Sequence, residues 1–197
     1  MVNKKSALIV LVGFFWHCNA VLAQISAPKS LKALKITEAP KIDGSLTDEA
    51  WQMAEIGAGF ITMSPQPGLE ASQKTEVRVL FDDEALYVGA YLYDSAPDSI
   101  LQQLTVRDNL GNSDYFSLAI GCYQDGQNGF EFGVTPRGVQ RDTRISLSDG
   151  EDSSWSAVWQ CNTRITEDGW VAEYKIPFSA LRFPEKDIQT WDINFYR

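Results

Sequence analysis

The chemistry this chain can perform is bounded first by what it lacks. Its one histidine, His17, falls in an apolar leader, and removing that leader excludes Ser-His-Asp and Cys-His nucleophilic machinery. No G-x-S-x-G, Walker A or H-E-x-x-H pattern occurs, and Gly57-Ala58-Gly59 lacks the third glycine of a dinucleotide fingerprint. A carboxylate pair at roughly 5 to 9 Å can hydrolyse a glycosidic bond, yet 26 acidic residues single out no such pair. The residue set favours recognition over catalysis. Trp155, between Ser154 and Ser156 and after an acidic loop, is the best candidate for an exposed ring beside polar groups. Its W-x-x-x-W spacing with Trp159 fits a core residue at a strand start equally well.

Residues 1–23 have the form of a signal peptide: Lys4 and Lys5, an apolar run from Ala7 to Trp16, and Val21-Leu22-Ala23 as a small-residue cleavage site. The run is short for a membrane span, which needs about 20 apolar residues. Export to the periplasm, outer membrane or extracellular space is therefore expected. Residues 24–30 form a linker. With Lys4 and Lys5 gone, 15 basic residues face 26 acidic ones, and no Lys/Arg cluster offsets that surface, so nucleic acid is not an expected partner. Cleavage also removes Cys18, leaving Cys122 and Cys161 in an oxidising compartment. A disulfide between neighbouring strands and two small buried thiols are both open. Two cysteines without histidine do not make a zinc site.

Positioning any binding residue falls to strands. Thr75 to Asp94 predicts a hairpin: Val77, Val79 and Phe81 alternate with Glu76 and Arg78, and Asp82-Asp83-Glu84 make the turn. The returning strand is apolar on both faces, Leu86, Val88, Ala90 and Leu92 on one and Tyr87, Tyr91 and Tyr93 on the other, as for a strand covered on both sides. Before it, strands are expected at Leu31–Thr37 and Pro40–Ile42, a short helix around Thr47–Trp51 with Trp51 as a core plug, and a strand at Gly57–Thr62. After it come short strands at sandwich spacing: 114–123, 130–135, 139–145, 155–164, 170–176 and 191–196, with Ser146–Ser154 as an acidic loop. The expected fold is all-β, an antiparallel β-sandwich with one short N-terminal helix.

Three blocks in order, IDGSLTDEAW at Ile42–Trp51, TEVRVLFDDEALYV at Thr75–Val88 and GWVAEYKIPFSAL at Gly169–Leu181, carry a resemblance to the carbohydrate-binding module family 9 domain. It covers roughly residues 31 to 197. The resemblance implies a jelly-roll or DOMON-like sandwich, and it extends to the version at the front of large bacterial outer-membrane proteins. It also implies a missing final strand, hence a chain truncated after Arg197, and a polysaccharide or oligosaccharide as partner. A covalently linked outer-membrane barrel or enzyme domain would complete the parent protein. Such a module is non-catalytic, and a docking domain of a barrel protein that binds no sugar is the alternative. By resemblance, Arg107 and Asp108, just before the strand opened by Asp114, supply a polar rim for a sugar stacked on Trp155. As a surface ion pair and a turn residue they would need no ligand. The chain departs from sugar-binding members in having Leu110-Gly111-Asn112-Ser113 where an aromatic is common, and no arginine in Phe130–Val134. Calcium is a further family trait; Asp43, Asp94 and the Asp149–Asp152 loop are candidate ligands, or solvated acidic turns. Haem is bound in distant relatives through Met, Lys or His; with only Met53 and Met63 and no histidine after cleavage, it ranks well below a sugar here.

Overall fold

The computed structural model describes residues 29–197; the leader and most of the linker read from the sequence lie outside them. The chain from Leu31 onward folds as two five-stranded sheets. One orders β1 (Leu34–Lys35), β2 (Thr75–Phe81), β3 (Ala85–Tyr93), β9 (Gly169–Pro177) and β8 (Gln160–Thr166); the other orders β10 (Asp192–Tyr196), β4 (Phe116–Gly121), β5 (Asn128–Val134), β6 (Gln140–Ser146) and β7 (Gly150–Asp152). Pairing is antiparallel throughout except for β1, which runs parallel to β2.

The main core lies between the sheets. The period of two along each strand delivers Val77, Val79, Leu86, Val88, Leu92, Trp170, Tyr174 and Ile176 from one side and Phe116, Leu118, Ile120, Phe132 and Val134 from the other. Trp159 stacks on Tyr174 with rings 5.4 Å apart, and the Tyr174 hydroxyl donates to the Phe116 carbonyl at 2.6 Å, so this buried hydroxyl is satisfied across the sheets.

The second apolar face of β3 is also covered, as its composition predicts. Ile36, Leu46, Trp51, Leu80, Tyr87 and Val171 form a smaller core beneath a strap that carries the helix α1 (Glu49–Met53). Trp51 is fully buried. What fixes the strap is Glu173 on β9. Its carboxylate accepts the backbone N–H groups of Asp43 (2.9 Å), Gly44 (2.5 Å) and Ser45 (3.1 Å), and the Trp51 indole N–H (3.0 Å). Burial pushes this carboxyl's pKa up, against the four donors that draw it down. Asp48 sits at the start of α1, but its side chain is turned to the Lys41 N–H at 2.9 Å.

Gly89 is what lets α1 lie on the sheet: a Cβ there would stand 2.6 Å from Leu46 Cδ2 and 3.0 Å from Trp51 Cζ3. Gly89→Ala is therefore expected to cost about 1 to 3 kcal/mol through overpacking. Urea denaturation checks this, and an unchanged midpoint would show that the strap yields freely.

Where sequence and structure differ, local pairing is the reason. Leu31–Thr37 contributes only Leu34–Lys35 as strand, Pro40–Ile42 contributes none, and Gly57–Thr62 makes single bridges, Gly57 to Val77 and Ile61 to Glu70. The acidic loop turns back at Gly150 (φ +79°) to form β7, where Asp152 pairs with Arg144 at 2.9 Å.

Candidate functional site

The outward face of the β10-β4-β5-β6-β7 sheet is built from the alternate residues of the same strands that fill the core. On β4 these are Ser117, Ala119 and Gly121, and on β5 Gly129, Glu131 and Gly133. Five of the six are small, so the two middle strands form a floor. The flanking strands supply the walls: Tyr196, Asn194 and Asp192 on β10, and Arg141, Thr143 and Ile145 on β6. One row runs Tyr196, Ser117, Gly133, Arg141, with a phenol at one end of the trough and a guanidinium at the other. Arg141 is held between Glu131 (3.0 Å) and Glu151 (2.9 Å), which fixes its fork over the floor. Ser117 Oγ and Thr143 Oγ1, on residues 1% and 0% exposed, have no protein partner among the described residues. Both hydroxyls are enclosed, so it is the oriented guanidinium, its carboxylates and the phenol that form a surface able to exchange hydrogen bonds with a polyhydroxylated ligand.

The residues singled out in the sequence come together elsewhere, at the sandwich edge between β6 and β8. Asp142, 1% exposed on the core side of β6, accepts the Ala157 N–H at 2.6 Å and the Trp159 indole N–H at 3.3 Å. Arg107 closes on Asp142 and on Gln140, and donates to the Ala157 carbonyl at 3.1 Å. Asp108, with φ +67°, binds β6 through its N–H to the Gln140 carbonyl and through Oδ1 to the Asp142 N–H. Arg107 and Asp108 thus staple the 101–114 loop to the segment before β8. Trp155 lies in that segment, half-buried, its ring 5.1 Å from Phe130 and edge-on to Phe132 at 6.1 Å. Its main contacts close the core edge. Asp114 stands at the base of the loop, exchanging hydrogen bonds with Leu101.

Residues 42–193 match the model of the family described as carbohydrate family 9 binding domain-like. The chain belongs to that family. Solved structures agree on the fold. A family 9 module from Caldicellulosiruptor kristjanssonii in complex with cellotriose is 19% identical with a TM-score of 0.56, over 83% of this chain and 75% of that one. The same organism's module in complex with glucose is 18% identical with a TM-score of 0.51, over 83% and 76%. A protein from Bacteroides uniformis ATCC 8492, named only as a candidate carbohydrate binder, gives 12% identity and a TM-score of 0.66 over 85% and 83%. No curated protein matches the chain.

Within this family 9 domain, Cys122 and Cys161 do not form the disulfide that the sequence left open. Cys122 follows β4 and Cys161 lies on β8, in opposite sheets, and both are free thiols. Burial pushes Cys122 up to about 12, and burial likewise raises Cys161 against the pull of Gln140 and Arg107, so both stay protonated and inert at neutral pH. The carboxylates expected to hold calcium do not converge. Asp94 accepts from Arg197 (3.2 Å) and the Ala96 N–H (2.8 Å), whereas exposed Asp43 belongs to the strap over β9. Among the described residues no three His, Cys, Asp or Glu side chains group as metal ligands.

The trough was missed because its floor is made of residues without chemistry. The signal was present as a large-small alternation in Phe116-Ser-Leu-Ala-Ile-Gly121 and Gly129-Phe-Glu-Phe-Gly133. The arginine absent from Phe130–Val134 has a counterpart one strand away: Arg141 pairs directly with Gly133 and reaches the same face.

Proposed function

We propose that this family 9 domain is an exported, non-catalytic carbohydrate-binding module that holds a glycan along the trough of the β10-β4-β5-β6-β7 sheet. The observation that carries this reading is the row Tyr196, Ser117, Gly133, Arg141: stacking surface, narrow floor and a fixed guanidinium in one line. Cellotriose and glucose in the solved relatives support a sugar as partner. Export rests on the leader pattern of residues 1–23. Membership of a larger carbohydrate-processing or outer-membrane protein rests on the resemblance of the three sequence blocks.

Affinity electrophoresis through soluble β-glucans, xylans and mannans, with calcium present, tests the proposal, and retardation by at least one polymer is expected. Arg141→Ala should weaken that binding by about tenfold or more, the usual loss for a charged hydrogen-bond donor. Gly133→Leu should block the floor, since a Cβ there stands 3.3 Å from Ser117 Cβ, on the face that carries Ser117 and Arg141. Migration unaffected by every polymer would sink the reading. That result would favour the second one, a docking domain of an outer-membrane barrel protein, for which the packing of Trp155 against Phe130 and Phe132 already speaks.

A further inference from the structure

The other sheet carries a separate hollow on its outward face, beside the strap. Its floor is the row Glu76, Tyr91, Val171, Arg164, one residue from each of β2, β3, β9 and β8, and its rim includes Thr47 and Gln52. The cavity measures about 290 Å³, the low end for small-molecule sites and suited to one ring rather than a chain. Tyr91 and Tyr93 form one wall, with ring centroids 4.5 Å apart at 29°, and the Tyr91 hydroxyl is fixed by Asp168 Oδ1 at 2.6 Å. The stacked pair, with Lys74 Nζ 4.8 Å from the Tyr93 centroid, gives the hollow a fixed aromatic wall that a sugar C–H face can contact.

The charges around it are unevenly matched. The Arg78 side chain is only 12% exposed and meets a carboxylate through Nη2 alone, at Glu76, 3.3 Å away. Glu76 is already bound more closely by Lys74, at 2.6 Å. Arg164 gives Nη2 to the Asp43 carbonyl at 2.9 Å and pairs with no carboxylate among the described residues. The lining therefore holds two guanidiniums against one shared carboxylate, in a chain whose net charge is −9. A guanidinium kept from water with donors to spare is a ready partner for a planar carboxylate.

We propose that this hollow is a second ligand site, taking a single pyranose ring that carries a carboxylate, with the ring on Tyr91 and Tyr93 and the carboxylate between Arg78 and Arg164. It lies on the opposite sheet from the trough and does not depend on the trough binding anything.

Titrating the purified protein with D-glucuronate and, separately, D-glucose while following amide NMR shifts tests this. Glucuronate should shift Gly44, Ser45, Thr47 and Tyr91 and bind about tenfold or more tightly than glucose, because only it engages the guanidiniums. Arg78→Gln should reduce glucuronate affinity by a similar factor. Arg164→Gln, at an exposed position, should do the same, with an unchanged unfolding midpoint as its control, and Thr47→Trp should close the mouth. Equal affinity for the two sugars, or glucuronate binding indifferent to Arg164→Gln and Thr47→Trp, would overturn the proposal. So would shifts confined to Ser117, Gly133 and Arg141, an outcome that would place the acid sugar in the trough and leave the trough reading intact.

Discussion

Glu173→Ala is expected to be the most damaging single substitution in the domain, lowering stability by about 3 to 5 kcal/mol. The side chain is fully buried and is the common acceptor for three consecutive backbone N–H groups and the Trp51 indole. Truncation strands all four donors in a space that strap and sheet have closed to water, and each buried unpaired donor costs about 1 to 3 kcal/mol, less whatever relaxation recovers. Glu173→Gln should be only partly milder. One amide oxygen replaces two carboxylate oxygens, and the amide NH₂ must then face either the indole N–H or the strap's N–H groups, donor against donor. Thermal denaturation gives the magnitude. Hydrogen exchange at Gly44 and Ser45 gives the location, and protection there that survives Glu173→Ala would refute the role assigned to the carboxylate.

Asp142→Ala should follow, at about 2 to 4 kcal/mol. It unpairs the Ala157 N–H and the Trp159 indole, and leaves Arg107 facing a buried pocket. The Arg107 side chain is 37% exposed, so part of its charge can return to water, which keeps the loss below that of a fully enclosed pair. Loss of this node should free the segment from Ser153 to Trp159 and with it the cover that Trp155 gives Phe130. Faster exchange at Ala157, together with a lower unfolding midpoint, checks it. A double-mutant cycle of Asp142→Ala with Arg107→Ala should show strong coupling, since the two act through one contact.

These residues show what the sequence could and could not disclose. The β2–β3 hairpin was legible because both its faces are apolar for distinct reasons, one for each core, and the period of two is unbroken from Leu86 to Leu92. The strand expected from Trp155 begins only at Gln160, because Ala157 spends its N–H on Asp142 rather than on a neighbouring strand. Nothing in the local pattern announces a partner 15 residues away. Arg107 and Asp108 were found as a pair, but their work in fastening a loop depends on Gln140 and Asp142, which alternation alone marks only as strand residues. The serines beside Trp155 suggest exposure, yet two phenylalanines on β5 decide its burial. Glu173 was hidden in the opposite way: a lone acid in an apolar strand reads as its solvent edge, while the groups that bury it lie near the other end of the chain.

That separation bears on how the molecule assembles. Asp43, Gly44 and Ser45 are 130, 129 and 128 residues from the carboxylate that receives them. During synthesis the strap emerges well before β9 exists, so it must wait, with Trp51 unshielded, until nearly the whole domain has left the ribosome. The strap is thus fastened long after it is made, and a holding chaperone would find its target in that interval.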